Sequence, residues 1–411
     1  MLDLVAIIIT LTALLAWFNH RFLGLPLAIG VMVIALLLSG VMHGLTALGW
    51  TALEGQAEAW LNQIDFNALL MDGLLSLILF AGALHVDLDR LRRFRWSVGF
   101  LATAGVVIST LAVGSATYAL ITLFGFNVSW LYCLTFGALI SPTDPIAVLG
   151  ILRNAGAPKD LELRIVGESL FNDGVAVVVF TLLLGAASGQ EALTLSNASM
   201  LFLQEAGGGI LLGLVVGGLA YGLMRSIDAY RIEVLISLAV VLGGYALALR
   251  LQFSGPLAMV AAGLLIGNKA RESAISDTTR QYLDAFWELI DEIVNTLLFV
   301  LIGLEVLLIP FEAGYFWVGL GVLIVLLAVR LVTIGVPVML LRERLGFRRG
   351  AVRILTWGGL RGGISVALAL SLPDGENRDV LLTVTYLIVM FSILVQGLSI
   401  GRVVKRLLSE T

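Results

Sequence analysis

Five carboxylates stand inside stretches otherwise as apolar as a lipid tail: Asp72, Asp144, Glu168, Asp173 and Glu305. Two arginines, Arg330 and Arg361, share that setting. An ionisable group at the centre of a bilayer costs roughly 2.5 kcal/mol or more on insertion scales, so it marks an ion or proton pathway and needs a partner. Two of the acids sit in runs that could do chemistry. In ALISPTDPIAVLG (138–150), Pro142 and Pro145 interrupt a helix around Thr143 and Asp144. Proline removes a backbone donor, Pro145 suits the first turn of a new half-helix, and Asp144 suits its N-cap. The carbonyls freed there are tolerated at membrane depth only where protein or a wet cavity surrounds them. Free carbonyls beside a carboxylate are hard oxygen donors, matched to a small hard cation.

In GESLFND (167–173), Glu168, Ser169, Asn172 and Asp173 fall within roughly a 140° arc of one helix. Hydroxyls and amides alone could be glue between helices, but two carboxylates in the same arc point to a site. Arg361 needs a counter-charge, and Glu168 is its natural partner, with Asp144 the rival. If Glu168 is so engaged, Asp173 is the group left to titrate. Arg361, lying between two half-helices, could also offset the negative end of a helix dipole. Arg330 has Glu305 as a candidate partner or extends toward the interface. Glu288, Asp291 and Glu292 stand at the edge of a span, where solvation accounts for them.

The elements that position these groups are membrane spans. The 411 residues are 59% hydrophobic and 13% charged, with a mean hydropathy of +1.01; soluble domains carry about 25% charged residues. At about 20 apolar residues per crossing, thirteen spans are expected near 2–18, 25–45, 67–86, 97–123, 128–150, 164–187, 206–224, 233–249, 254–268, 283–309, 315–341, 351–372 and 380–401. The first lacks a basic n-region and a cleavage site, so it reads as a retained helix. Cys133 stands alone, which rules out an internal disulfide.

Basic residues crowd the loops on one side, around 90–95, 153–164, 269–280, 342–353 and 402–406, whereas the other side holds only Arg250 and Arg378. The positive-inside rule then places the C-terminus in the cytoplasm and the N-terminus outside. Span five is broken at SPTDP and span twelve at GGLRGG (358–363). Each is fifth in a run of six if spans 1–6 and 8–13 form two inverted units, and paired broken helices point to a transporter's binding site. His20, His43 and His85 lie near span ends and form no nucleophile–base or metal pair. No nucleotide loop is evident, so an enzyme or a nucleic-acid binder is not expected.

SPTDPIAV, ESLFNDGVAVVVF, FVLIGLEV and WGGLRGGISVALAL, in that order, closely resemble the cation:proton antiporter family of NhaP-like bacterial sodium/proton antiporters and their eukaryotic exchanger relatives. The resemblance runs from the early spans to Arg406. It implies an all-α membrane protein of about thirteen helices in two inverted six-helix repeats, with broken helices crossing in spans five and twelve. It further implies a core (transport) domain near 97–187 and 315–406, a dimerisation domain near 1–96 and 206–309, and a homodimer in a bacterial inner membrane. Carried over by motif, Asp173 binds cation and proton in turn. Asp144, Ser169 and the main chain of Thr143 complete the coordination, Asn172 orients the site, and Glu168 with Arg361 forms a structural ion pair. The residue before Asp173, Asn172, implies one-for-one electroneutral exchange. The transported ions would be H⁺ and Na⁺ or Li⁺, with K⁺ possible, and no cofactor is implied.

One departure stands out: the family often carries an acid in the third span, where FAGALHVD has Ala81. The physics of exchange needs no further residue. Proton and cation compete for one carboxylate, and an empty, ionised site would carry an uncompensated charge through an apolar barrier. The alternative expectation is a sodium-coupled symporter of a small organic solute on a related fold.

Overall fold

Long runs of Leu, Ile, Val and Ala, bounded by serine caps and glycine or proline stops, fold this chain into helices. The structure, a computed structural model, describes residues 2–49, 55, 66–145, 148–149, 152, 159–189, 194–309, 312–345 and 350–409. The basic residues Arg153, Arg348 and Arg349 and part of the half-helix after Pro145 lie outside the described residues. The principal helices are α1 (Leu2–Phe18), α2 (Leu27–Ala47), α3 (Leu75–Leu84), α4 (Ala104–Leu123), α5 (Trp130–Leu139), α6 (Lys159–Ala187) and α7 (Gly208–Arg225). They continue with α8 (Tyr230–Arg250), α9 (Gly255–Leu265), α10 (Asp277–Glu305), α11 (Ala313–Leu345), α12 (Ala351–Trp357), α13 (Gly363–Leu370) and α14 (Glu376–Phe391). Serines set several starts: Ser129, Ser254 and Ser276 each accept a hydrogen bond from the backbone N–H three residues on, capping α5, α9 and α10.

Among the described residues, eight helical segments are long and apolar enough to cross a membrane. The expected third, fifth, ninth and twelfth spans are shorter or broken helices, and α10 is long but acidic. Leu211, Leu219, Ile324 and Met339 are among many large apolar side chains exposed on the outside of the bundle. That surface suits lipid, not water, and the chain is a multi-pass integral membrane protein.

Without a hydrophobic drive between helices in lipid, close backbone approach through small residues holds the bundle together. Gly209, Gly213 and Gly217 form a stripe at every fourth residue of α7. A Cβ on Gly209 would meet Ser254 O of the α9 cap at 2.5 Å, and one on Gly213 would overlap Ala258 O. Gly114 of α4 fits Cys133 and Leu134 of α5 in the same way. A π-helical turn, Ile266–Ala270, extends α9 and presents Asn268. Its amide donates to Val86 O and accepts from Leu88 N, both at 2.9 Å, clamping the turn that follows α3.

The two predicted interruptions meet. Asp144 N donates to Leu360 O at 2.8 Å, forming an isolated antiparallel bridge between the break after α5 and the break between α12 and α13.

Candidate functional site

The bridge fixes where the free backbone goes. In the first break, Pro145 O accepts from Val148 N and Leu149 N, so a new helical turn begins there. In the second, a polar chain supports the unwound segment. Arg361 N donates to Ser392 Oγ at 2.8 Å, Ser392 Oγ donates to Gln396 Oε1 at 2.8 Å, and Gln396 Nε2 donates to Trp357 O at 3.3 Å. A carbonyl left over at the end of α12 is thereby satisfied, as burial demands. Ser392 and Gln396 stand four residues apart in the apolar last span, a polar pairing visible in the sequence.

Arg361 is 3% exposed. Its Nη1 donates to Pro142 O at 2.7 Å and also to Ser141 O. The cation therefore sits against carbonyls at the C-terminal end of α5, where the helix dipole is negative. The expected Glu168–Arg361 ion pair is corrected here. Glu168, which is buried, receives Arg330 Nη1 at 2.5 Å, and the Arg330 side chain is mostly covered. Among the described residues no ion pair joins Glu168 to Arg361. The physical reason is that α11 brings Arg330 beside α6, while the carbonyls of the broken helix take up Arg361. Arg330 also donates to Leu355 O of α12 at 3.3 Å, and its guanidinium presses on the backbone of Gly359. The suggested Arg330–Glu305 pair is likewise not formed; Glu305 is buried elsewhere, with Oε2 accepting no hydrogen bond.

The polar arc of α6 faces the first break. Thr143 Oγ1 lies 2.9 Å from Ser169 Oγ, accepts from Asn172 Nδ2 at 3.0 Å, and Thr143 N donates to Asn172 Oδ1 at 3.4 Å. Ser169 and Asn172 thus hold the unwound strand against α6. Asp173, one position on, is 5% exposed, and its Oδ1 is buried with no hydrogen-bond donor. Asp144 and Arg361 are the charged groups within electrostatic reach of it. Gly362 completes the geometry, because a Cβ there would overlap the Asp144 carboxylate.

Thr143, Asp144 and Asp173 line a cavity of about 1120 Å³. It reaches the surface past exposed Arg90, Lys159 and Glu288. Ser169, Asn172, Glu168 and Arg361 are not among its lining residues. Ala81, where an acid is common in the resembled family, does line it, and its carbonyl lies 2.8 Å from His85 Nδ1. Three lining residues missed as site candidates are Gly362, Ser365 and Asn295. Gly362 was visible only as part of a glycine-flanked arginine, and the other two only as lone polar residues in apolar helices. The arrangement offers a buried carboxylate, a second carboxylate and a hydroxyl facing one wet path, a donor set for a small cation or a proton.

A family model described as sodium/hydrogen exchanger, transmembrane, matches residues 7–406. The Na(+)/H(+) antiporter NhaP of Pseudomonas aeruginosa is 55% identical over 415 residues, covering 99% of this chain and 97% of that protein. The Na(+)/H(+) antiporter NhaH of Halobacillus dabanensis is 35% identical over 381 residues, 91% of each. Among solved structures, the sodium proton antiporter MjNhaP1 from Methanocaldococcus jannaschii at pH 8 superposes with a TM-score of 0.73 at 19% identity. That match covers 98% of this chain and 97% of the other, and it establishes likeness of fold.

Proposed function

The chain belongs to the sodium/hydrogen exchanger family, and on that premise we propose that it is a secondary antiporter exchanging Na⁺ or Li⁺ for H⁺ at Asp173. The observation that carries this reading is Asp173 Oδ1, buried without a donor on the wall of a cavity that reaches the surface. A buried carboxylate in that state needs a proton or a cation. Either neutralises it, and the two exclude one another. The empty ionised form would have to cross an apolar barrier unpaired, which is strongly unfavourable. Loaded forms cross and the empty form does not; that restriction couples the two gradients and gives one cation for one proton, without net charge movement.

Asp144 and Thr143 assist from the broken helix, and Ser169 and Asn172 act mainly by holding Thr143 in place. The crossing of the two breaks lies within a core domain, near 97–187 and 315–406, that carries the bound ion as it moves against a scaffold near 1–96 and 206–309. The scaffold pairs two copies as a homodimer in a bacterial inner membrane. The excess of arginine and lysine on one side puts the C-terminus in the cytoplasm. Arg90 and Lys159 at the cavity mouth then make this the conformation open to the cytoplasm.

The test is proton movement in vesicles holding an imposed pH gradient, with membrane potential clamped, on adding NaCl, LiCl or KCl separately. Collapse of the gradient by Na⁺ or Li⁺ is the expected result and names the substrate. No collapse with any of the three between pH 5.5 and 9 would overturn the exchanger reading.

A further inference from the structure

The cavity that leads to Asp173 has a second polar wall, on α10. Glu288, Asp291, Glu292 and Asn295 are spaced three, one and three residues apart, so they share one face of that helix, and all four line the cavity. Acidic side chains at a cavity mouth are ordinarily just solvated. Asn295 is different: it is 3% exposed, and its amide is pinned. Nδ2 donates to Asp291 O at 2.7 Å and to Asp291 Oδ1 at 2.9 Å. With Nδ2 committed to Asp291, Oδ1 is left buried without a donor. A second unpartnered group lines the same cavity. Ser365 Oγ on α13 is buried and has no hydrogen-bond partner. The two helices meet nearby, where Leu298 packs on Gly363. Buried polar atoms are rarely left unpaired, and each exception calls for a ligand, a water or a function. Carboxylate and amide oxygens are the donors that hard cations prefer.

We infer that Asp291 and Asn295 form a second cation station in the access cavity, one that holds a monovalent cation before it reaches Asp173. Asp291 supplies the charge, and the hydrogen bonds it accepts from Asn295 Nδ2 leave the amide oxygen unengaged as a second ligand. Asp144, within electrostatic reach of Asp291, draws the ion onward. The station's purpose rests on the exchanger reading, but its existence does not. It adds a cation site remote in sequence from the broken helices, and it gives the acidic face of α10 a role beyond solvation.

The test separates the two readings by using protein whose central site is removed. In purified Asp173→Asn protein, thermal stability is measured as NaCl replaces choline chloride at constant ionic strength. The station predicts a saturable Na⁺-specific rise in Tm, smaller than in wild type, that disappears in Asp173→Asn/Asp291→Asn and in Asp173→Asn/Asn295→Ala. No Na⁺-specific shift in Asp173→Asn, or a shift that survives both second substitutions, would overturn it. In exchange assays on an otherwise wild-type background, Asn295→Ala should raise KM for Na⁺ about three- to tenfold, more than it lowers kcat, the scale of one lost ligand. Asn295→Asp, which keeps an oxygen at that position, should recover most of the loss. Equal falls in kcat for both variants with KM unmoved would mark a purely structural residue. Failure of wild-type vesicles to exchange would sink the antiporter reading while leaving the binding result to stand by itself.

Discussion

The pairing of Glu168 with Arg330 makes a sharp prediction, because sequence and structure disagree about which arginine Glu168 needs. The two groups are 2.5 Å apart, with side chains 3% and 12% exposed. Coulomb's law at that distance and an effective dielectric of about 20 gives a gross attraction of about 7 kcal/mol. Desolvation of both ions offsets most of it, so the net contribution is small. Removing one partner is another matter, since it strands a buried charge at a cost of about 3–5 kcal/mol. Glu168→Gln should fall at the low end, because Arg330 keeps Leu355 O and reaches the surface. Arg330→Met should fall at the high end. The double variant, with neither charge, should recover much of the loss.

Equilibrium unfolding in mixed micelles, as the denaturing detergent fraction rises, measures the full cycle. A coupling energy of about 2–3 kcal/mol is expected for Glu168 with Arg330, and less than about 1 kcal/mol for Glu168 with Arg361. Where Arg330→Met is too unstable to purify, Arg330→Lys keeps the charge without the planar fork and serves in its place. A larger coupling of Glu168 to Arg361 than to Arg330 would refute the reasoning.

Three other substitutions test the packing that builds the site. Gly362→Ala drives a Cβ into the Asp144 carboxylate; it should destabilise by about 1–3 kcal/mol and cut exchange, and normal Na⁺-dependent proton movement would contradict the crossing geometry. Asn172→Ala removes both hydrogen bonds to Thr143; stranding the buried Thr143 N–H should cost about 1–3 kcal/mol, read as a lowered Tm together with a raised KM for Na⁺. Gly213→Ala collides with Ala258 O, whereas Gly218 on the same helix has open space where a Cβ would go. The first should lower stability by about 1–3 kcal/mol and Gly218→Ala by less than about 0.5 kcal/mol; equal effects in a thermal unfolding assay would refute the glycine-stripe packing of α7 on α9.

The breaks were legible in the sequence because their signals are local. Two prolines around Thr143 and Asp144, and a glycine-flanked Arg361, announce interruption wherever they occur in an apolar run. The polar arc of α6 was legible too, since helical periodicity alone puts Ser169, Asn172 and Asp173 on one side. What could not be read was the rotation of one helix against another. Arg330 and Arg361 both lie in apolar spans, and nothing local to either says which faces Glu168. The acceptors of Arg361 are main-chain carbonyls of Ser141 and Pro142, a group every residue carries, so no residue type flags them. Hydropathy also misses the π-helical turns at Leu69–Leu74 and Ile266–Ala270. These leave α3 and α9 shorter than a full span and aim Asn268 at the turn after α3. The acids of α10 were assigned to solvent because periodicity gives a face and not its depth; the burial of Asn295 emerges only once α10 is packed.

Proton release on cation binding tests most directly whether one carboxylate serves both ions. NaCl is titrated calorimetrically into the purified protein at one pH in two buffers of different ionisation enthalpy, and the difference in heat counts the protons released per cation bound. Ligand groups must give up their protons to bind a metal ion, so wild type is expected to release up to about one proton per Na⁺ where Asp173 starts protonated. Asp173→Asn should release far fewer. No release in wild type between pH 5.5 and 9, or the same release from Asp173→Asn, would contradict the account.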